Sequence, residues 1–249
     1  MFRLLSSQPL AVIVLIVFIG GMLALLVSRL IVRLLNHGKN PLDINSPLPG
    51  VAAMSFVFIA ALLASQLMND MTSSRSALQH EISGIQSLRL YSDLLPAPQK
   101  TALQEMVSEY VNGVVTAEWK QMQGNGEPES IVVRQQIRAM LRLVHTVEED
   151  DVRDSLRTGL AELMSARSER LRIASDTVPL FTWGILFSLS LFMLVAFGIS
   201  HSDHNQWQTV VGVTVVILAA LIFIMLLAHD QPYARPDIVN PQNLMQALK

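Results

Sequence analysis

The sequence contains no cysteine. Disulfides, thiolate metal sites and cysteine nucleophiles are therefore excluded, and the redox compartment leaves no trace. Charge is scarce at 15% of residues, and neither sign prevails: 18 Lys and Arg stand against 20 Asp and Glu, a net charge of −2. Without a basic excess, nothing electrostatic points to a nucleic-acid partner or a polybasic membrane patch. No nucleophile elbow, phosphate-binding glycine loop or zincin helix occurs, so the reading is not that of an enzyme and no cofactor is expected. What the chain has in quantity is apolar residues, 51% of the total with a mean hydropathy of +0.41.

Those residues gather in four blocks, 10–31, 50–68, 178–199 and 207–228, while the charges collect between Asp70 and Asp176. At about 1.5 Å of rise per residue, each block reaches the roughly 30 Å of a hydrocarbon core, the second barely. A buried helix of a soluble protein would be shorter and keep a polar face. The first block is too long for the apolar run of a signal peptide and ends in Arg29 and Arg33 without a cleavage site, so it reads as retained. The expected fold is an all-α integral membrane protein. Residues 1–68 form an N-terminal transmembrane hairpin, 69–177 a helical cytoplasmic domain, 178–228 a C-terminal transmembrane hairpin and 229–249 a tail. No Asp or Glu interrupts a span and no inverted repeat of broken helices is visible, which argues against a proton-coupled carrier or secondary transporter. Arg3, Arg75, Arg167, Arg170, Arg172, Arg235 and Lys249 flank the spans on one side, against Arg29, Arg33 and Lys39 on the other. Both termini and the central domain are accordingly expected in the cytoplasm.

Within 69–177 the periodicity is helical. Leu103, Met106, Val107, Tyr110, Val111, Val114, Val115 and Trp119 form a 3.6-residue stripe. A second runs through Val133, Ile137, Met140 and Val144, a third through Leu156, Leu160 and Leu163, and Leu78, Ile82, Ile85 and Leu88 extend the second span outward. Four amphipathic helices can bury these stripes against one another as a bundle, with loops at Pro96–Pro98 and Gly124–Pro128. Two charges break the pattern: Glu118 and Arg167 stand where apolar residues belong. A buried charge costs several kcal/mol unless paired, so Glu118 is expected to meet Arg167 or Arg170. Such a pair serves either packing or gating.

The same residues carry a resemblance. SEYVNGVVTAEWKQM (Ser108–Met122), SARSERLRIASDTVPLFTWGIL (Ser165–Leu186) and HDQPYARPDIVNPQNLMQAL (His229–Leu248), in this order within a two-span, domain, two-span layout, resemble the bestrophin-like domain family of bacterial and plant membrane proteins. Tyr233 with Ala234 departs from the Phe and small residue that this family tends to carry there. The family is remotely similar to the bestrophins, pentameric ion channels with a cytosolic helical domain and a pore lined by the second span. The resemblance therefore implies a bacterial inner-membrane protein that assembles with itself, with a pentamer favoured, and that passes ions.

The second span bears on that implication. Ser55, Phe58, Leu62, Ser65, Gln66 and Asn69 fall within an arc of about 100°, opposite the small-residue arc of Ala53, Val57, Ala60, Ala61 and Ala64. Polar groups within a span face protein or a water-filled cavity. These six are pore-lining candidates, with Phe58 and Leu62 as a dewetting constriction and Gln66 and Asn69 at the cytoplasmic mouth. The alternative is ordinary hydrogen bonding in a bundle without a pore, a scaffold or signalling protein whose cytoplasmic domain binds a partner. The run Glu148, Glu149, Asp150, Asp151 and Asp154 lacks EF-hand spacing and begins a helix, where acids complement the dipole. His201, Asp203 and His204 want a third ligand, so no metal is expected there. The tail from Asp230, with Pro232, Pro236 and Pro241, is expected to run back along the domain.

Overall fold

The computed structural model describes residues 10–35, 47–123, 128–176, 178–200, 205–230, 232–234 and 239–248. Among them the structure is helical, without a strand: α1 (Leu10–Leu35), α2 (Leu48–Ser92), α3 (Ala97–Gly113), a π-helical turn (Val114–Glu118), α4 (Trp119–Gln123), α5 (Ile131–His145), α6 (Asp150–Ser175), α7 (Leu180–Ser200), α8 (Asn205–His229), a 3₁₀ turn (Pro232–Ala234) and α9 (Gln242–Gln246). Four helices are long and apolar enough to cross a membrane, containing Ala11–Leu34, Leu48–Ser92, Leu180–Ser200 and Thr209–His229. The chain divides into two compact units, Met1–Met68 with Val178–Asp230, and Asn69–Thr177 with Gln231–Lys249.

In the first unit α1 packs on α7 and α8, and α7 packs on α8. Between apolar helices in lipid, close fit replaces the hydrophobic effect as the attraction. A Cβ on Gly212 would come within 2.7 Å of Leu25 Cδ1, and one on Gly21 within 2.7 Å of Val216 Cγ1. Small residues on both helices thus set how near α1 and α8 approach. Phe223 stacks on Phe187 at 4.6 Å between centroids and meets Phe56 at 6.1 Å, joining α2 to the same core. The third span begins two residues later than the apolar block, because Pro179 supplies the first turn through its carbonyl to Thr182 N–H at 3.0 Å. The Asp230 carboxylate accepts the Val178 N–H at 3.3 Å, which ties that entry to the end of the last span.

In the second unit α3 packs on α5, α5 on α6 and α4 on α6. The core comprises Ile85 and Leu88 of α2, Leu103 and Val107 of α3, Val133 and Met140 of α5, and Leu156 and Leu163 of α6. Each side chain of this kind contributes about 1.5–3 kcal/mol by leaving water. Pro98 lies in the first turn of α3, where its missing N–H is harmless. Asp150 and Asp151 open α6, facing the positive end of its dipole. The Tyr233 ring stands edge-on against Trp119 at 5.5 Å, and Gln123 Nε2 donates to the Tyr233 carbonyl at 3.2 Å. Farther on, Leu244 is buried and Arg89 donates to the Ala247 carbonyl at 2.9 Å, so the tail's described residues complete this core.

Candidate functional site

Two features hold chemistry: a buried ionic chain in the second unit and an uncovered face on α2. The chain starts from a backbone irregularity. At Val114–Glu118 the helix widens to a π turn, with the Trp119 N–H bonding the Val114 carbonyl. The extra residue keeps both Glu118 and Trp119 on the face begun by Tyr110 and Val114, and all four are buried. Glu118 would otherwise leave the core or displace Trp119.

Arginines of α6 meet that carboxylate. Arg167 donates to Glu118 from Nε at 3.1 Å and from Nη2 at 2.9 Å, and from Nη1 to Glu129 at 3.3 Å. One helical turn on, Arg170 reaches Glu118 from Nη2 at 3.3 Å and clasps Glu81 of α2 through Nε at 2.7 Å and Nη2 at 3.0 Å. Tyr110 completes the set, its hydroxyl donating to Glu81 at 2.5 Å. At the outer end Arg134 of α5 pairs bidentately with Glu129. Carboxylate and guanidinium thus alternate from Glu81 through Arg170, Glu118, Arg167 and Glu129 to Arg134. Three charges of each sign make the chain neutral, which a buried network requires. Arg170, itself inaccessible to solvent, also lies 5.8 Å from the Trp119 ring centroid.

The protonation states follow from these contacts. Burial pushes the Tyr110 phenol well above its ordinary range, and the Glu81 carboxylate beside it pushes the same way, so the hydroxyl remains a donor. For Arg170 burial works against the charge, but the attraction of Glu81 and then Glu118 prevails and holds it charged. The hydrogen bond from Arg134 keeps the Glu129 carboxyl below its usual value despite partial burial. The arrangement joins α2, the π turn, the segment before α5 and α6 by charge-assisted bonds.

Close backbone approach makes the reach possible. A Cβ on Gly84 would come within 2.8 Å of Leu163 N, and one on Gly159 within 3.1 Å of Ser87 Cβ, so α2 and α6 lie nearly in contact and antiparallel. Glu81 is the member that the sequence reading missed. Its signal was present: Leu78, Glu81, Ile85 and Leu88 are among the buried positions of α2 there, and the acid occupies an apolar place in that row.

The second feature lies on the membrane-spanning part of α2. Its buried face is Ala52, Phe56, Ala60, Leu63 and Leu67. Of the small-residue arc, Ala53 and Ala64 pack against this core and Ala60 belongs to it. Ala60 alone of that arc is buried, whereas Val57 is 54% exposed. Bulky Phe56, Leu63 and Leu67 win the core because they fill it, and the small residues fall to the boundary. Of the six arc residues, Phe58, Leu62, Ser65, Gln66 and Asn69 are exposed. Ser55 is half-buried and returns its hydroxyl to the Val51 carbonyl at 2.9 Å.

Elsewhere two of the five acids in the acidic run find arginine partners on α6. Arg153 pairs with Asp150 and Arg157 with Asp154, and no three metal-ligating side chains converge among the described residues. His201, Asp203 and His204 lie outside the described residues. The Tyr233 hydroxyl is buried without a hydrogen-bond partner of good geometry, while neighbouring Ser74 donates its own hydroxyl to the Asp70 carbonyl.

A family model described as Bestrophin-like domain matches residues 12–244. Among solved structures, a point variant of a bacterial bestrophin homologue from Klebsiella pneumoniae is similar at 12% identity and a TM-score of 0.71, covering 93% of this chain and 97% of that one. A second variant reaches a TM-score of 0.73 at 12% identity, with 94% and 98% covered. The Klebsiella pneumoniae homologue solved by Zn-SAD phasing gives 0.66 at 11% identity, with 96% and 98% covered. At these identities the likeness is one of fold. No curated protein matches the sequence.

Proposed function

The chain belongs to the bestrophin-like domain family, and on that premise we propose that it is a homo-oligomeric ion channel, a ring of subunits, pentameric by the resemblance, around α2. The observation that carries this reading is the face of α2 that its own unit leaves uncovered. Ser65 and Gln66 lie within a span, and lipid offers them no hydrogen-bond partner. Copies of α2 arranged around an axis would give these groups water. Phe58, 63% exposed, and Leu62, 55% exposed, would then meet their counterparts as an apolar constriction that gates by dewetting. Gln66 and Asn69 would line the mouth. Val57 and Ala61, also exposed, offer a small-residue edge for the neighbouring copy.

The balance of Arg and Lys around the spans supports a cytoplasmic location for both termini and the second unit, in a bacterial inner membrane. Glu118, Arg167 and Arg170 act in this reading as the structural lock of the cytoplasmic bundle. Glu118 lies in a π turn, a feature frequent at functional sites, which gives gating as the second role of the set.

The test is a subunit count followed by flux. Native mass spectrometry from several detergents should return four or more subunits, with five favoured. Liposomes holding the protein should pass ions, and Phe58→Ala should raise the leak or change the conductance. A monomer or dimer in every detergent, or flux indifferent to every substitution on the Ser55–Asn69 arc, removes the pore and leaves the scaffold reading.

A further inference from the structure

Between α5 and α6, within the second unit, lies an open cavity of about 430 Å³, within the range of small-molecule sites. The lining is basic in part, through Arg134 and Arg138, one turn apart on α5, and Arg167 from α6. Apolar residues share the lining: Leu141, one turn beyond Arg138 on α5, and Met164, one turn before Arg167 on α6, stay 37% and 40% exposed rather than joining the core.

The charges do not balance at this point. Arg167 is claimed by Glu118 and Glu129, and Arg134 by Glu129. Arg138, an exposed residue, forms no ion pair among the described residues, yet it lines the cavity. Three guanidiniums facing the carboxylates of Glu129 and Glu118 leave one positive charge. The Glu129 carboxylate already demonstrates the geometry, since it bridges Arg134 and Arg167 across the two helices.

We infer that this cavity is a binding site for a monoanion that carries an apolar group, a carboxylate or a phosphodiester, whose oxyanion meets Arg138 beside Arg134 and whose apolar part lies on Leu141 and Met164. A planar carboxylate suits the two-pronged guanidinium. A dianion would exceed the single uncompensated charge, and a bare oxyanion would leave Leu141 and Met164 wet. The inference does not depend on conduction, because every residue in it belongs to the second unit.

Benzoate is the probe, titrated calorimetrically into the full chain in detergent, with benzyl alcohol and acetate as controls lacking the charge or the ring. Benzoate should bind saturably and at least tenfold tighter than either. Arg138→Ala should weaken it about tenfold or more. Glu129→Gln should tighten it several-fold, by releasing Arg134 and Arg167 from an internal competitor. Arg142→Ala, an exposed arginine of the same helix outside the cavity, should change nothing and shows that the effect is local. Short-chain dihexanoyl phosphatidylglycerol then identifies the source. Displacement of benzoate at lower concentration assigns the site to lipid, and failure to displace assigns it to a soluble carboxylate. Benzoate binding no tighter than benzyl alcohol, or left unchanged by Arg138→Ala in a folded protein, overturns the site.

Discussion

Replacing Arg170 with Met tests whether the ionic chain holds the second unit together. The guanidinium is inaccessible to solvent and makes two bonds to Glu81 and one to Glu118, besides its contact with Trp119. Methionine keeps an unbranched stem of similar length, so the cavity term is small and the loss is electrostatic. Glu81 keeps the Tyr110 hydroxyl and Glu118 keeps Arg167, yet one buried negative charge has no counterpart. Breaking a buried pair in this way costs about 3–5 kcal/mol. For a unit of this size that lowers the melting temperature by about 10–20 °C. The assay is thermal unfolding in detergent, followed by tryptophan fluorescence and circular dichroism. The double variant Glu81→Gln with Arg170→Met removes both charges and should recover at least half of the loss, because a neutral amide can stay bonded to Tyr110. A single variant within about 2 °C of the parent would refute the reasoning. So would a double variant as unstable as the two single losses added.

Two further outcomes follow from close contacts. Gly84→Ala should destabilise by about 1–2 kcal/mol in the same assay, since the new Cβ meets backbone atoms of α6 that cannot turn aside, an overpacking cost larger than the gain in helix propensity; an unchanged or higher melting temperature would show that the helices part freely. Tyr233→Phe should stabilise by up to about 1 kcal/mol at neutral pH by removing a buried hydroxyl with no good partner. Burial pushes the Tyr233 phenol from 10.0 up to about 12, so the unfolded chain releases this proton first. Stability is intact below pH 10 and declines as pH rises from there through 12. The Phe variant should therefore show a shallower alkaline limb in melts at stepped pH, and an identical limb would remove Tyr233 from that account.

The bilayer is a strict solvent, and its demands are local. Long apolar runs, charges kept between them and arginines near their ends are properties of the chain read in order, so the membrane class followed from composition and spacing. Glu118 and Arg167 were also legible, because a charge in an apolar stripe needs a partner wherever it sits. Glu81 escaped notice because Ile82, next to it, satisfied the same stripe. Only the approach of α6 at Gly84 shows which of the two neighbours turns inward. The packing face of α2 was legible only in part, since Ala53, Ala60 and Ala64 do pack but do not make up the core alone. Small residues permit close approach but do not command it, and Phe56, Leu63 and Leu67 fill space that alanine cannot.

By itself, then, the sequence determined an all-helical chain with four spans, a helical segment between the second and third, and a membership that its own motifs carry. These rest on hydrogen-bond periodicity and on transfer between water and lipid, which act over a turn or a span. Tertiary structure alone decided that a π turn keeps Glu118 and Trp119 on one face, that Arg170 chooses Glu81 from a helix 89 residues away, and that Tyr233 returns to Trp119. It also decided that Arg138, without an ion pair among the described residues, shares a cavity with Leu141 and Met164. Each is a meeting of side chains distant along the chain, settled by which backbones can approach and which charges then find one another, and no local pattern encodes it.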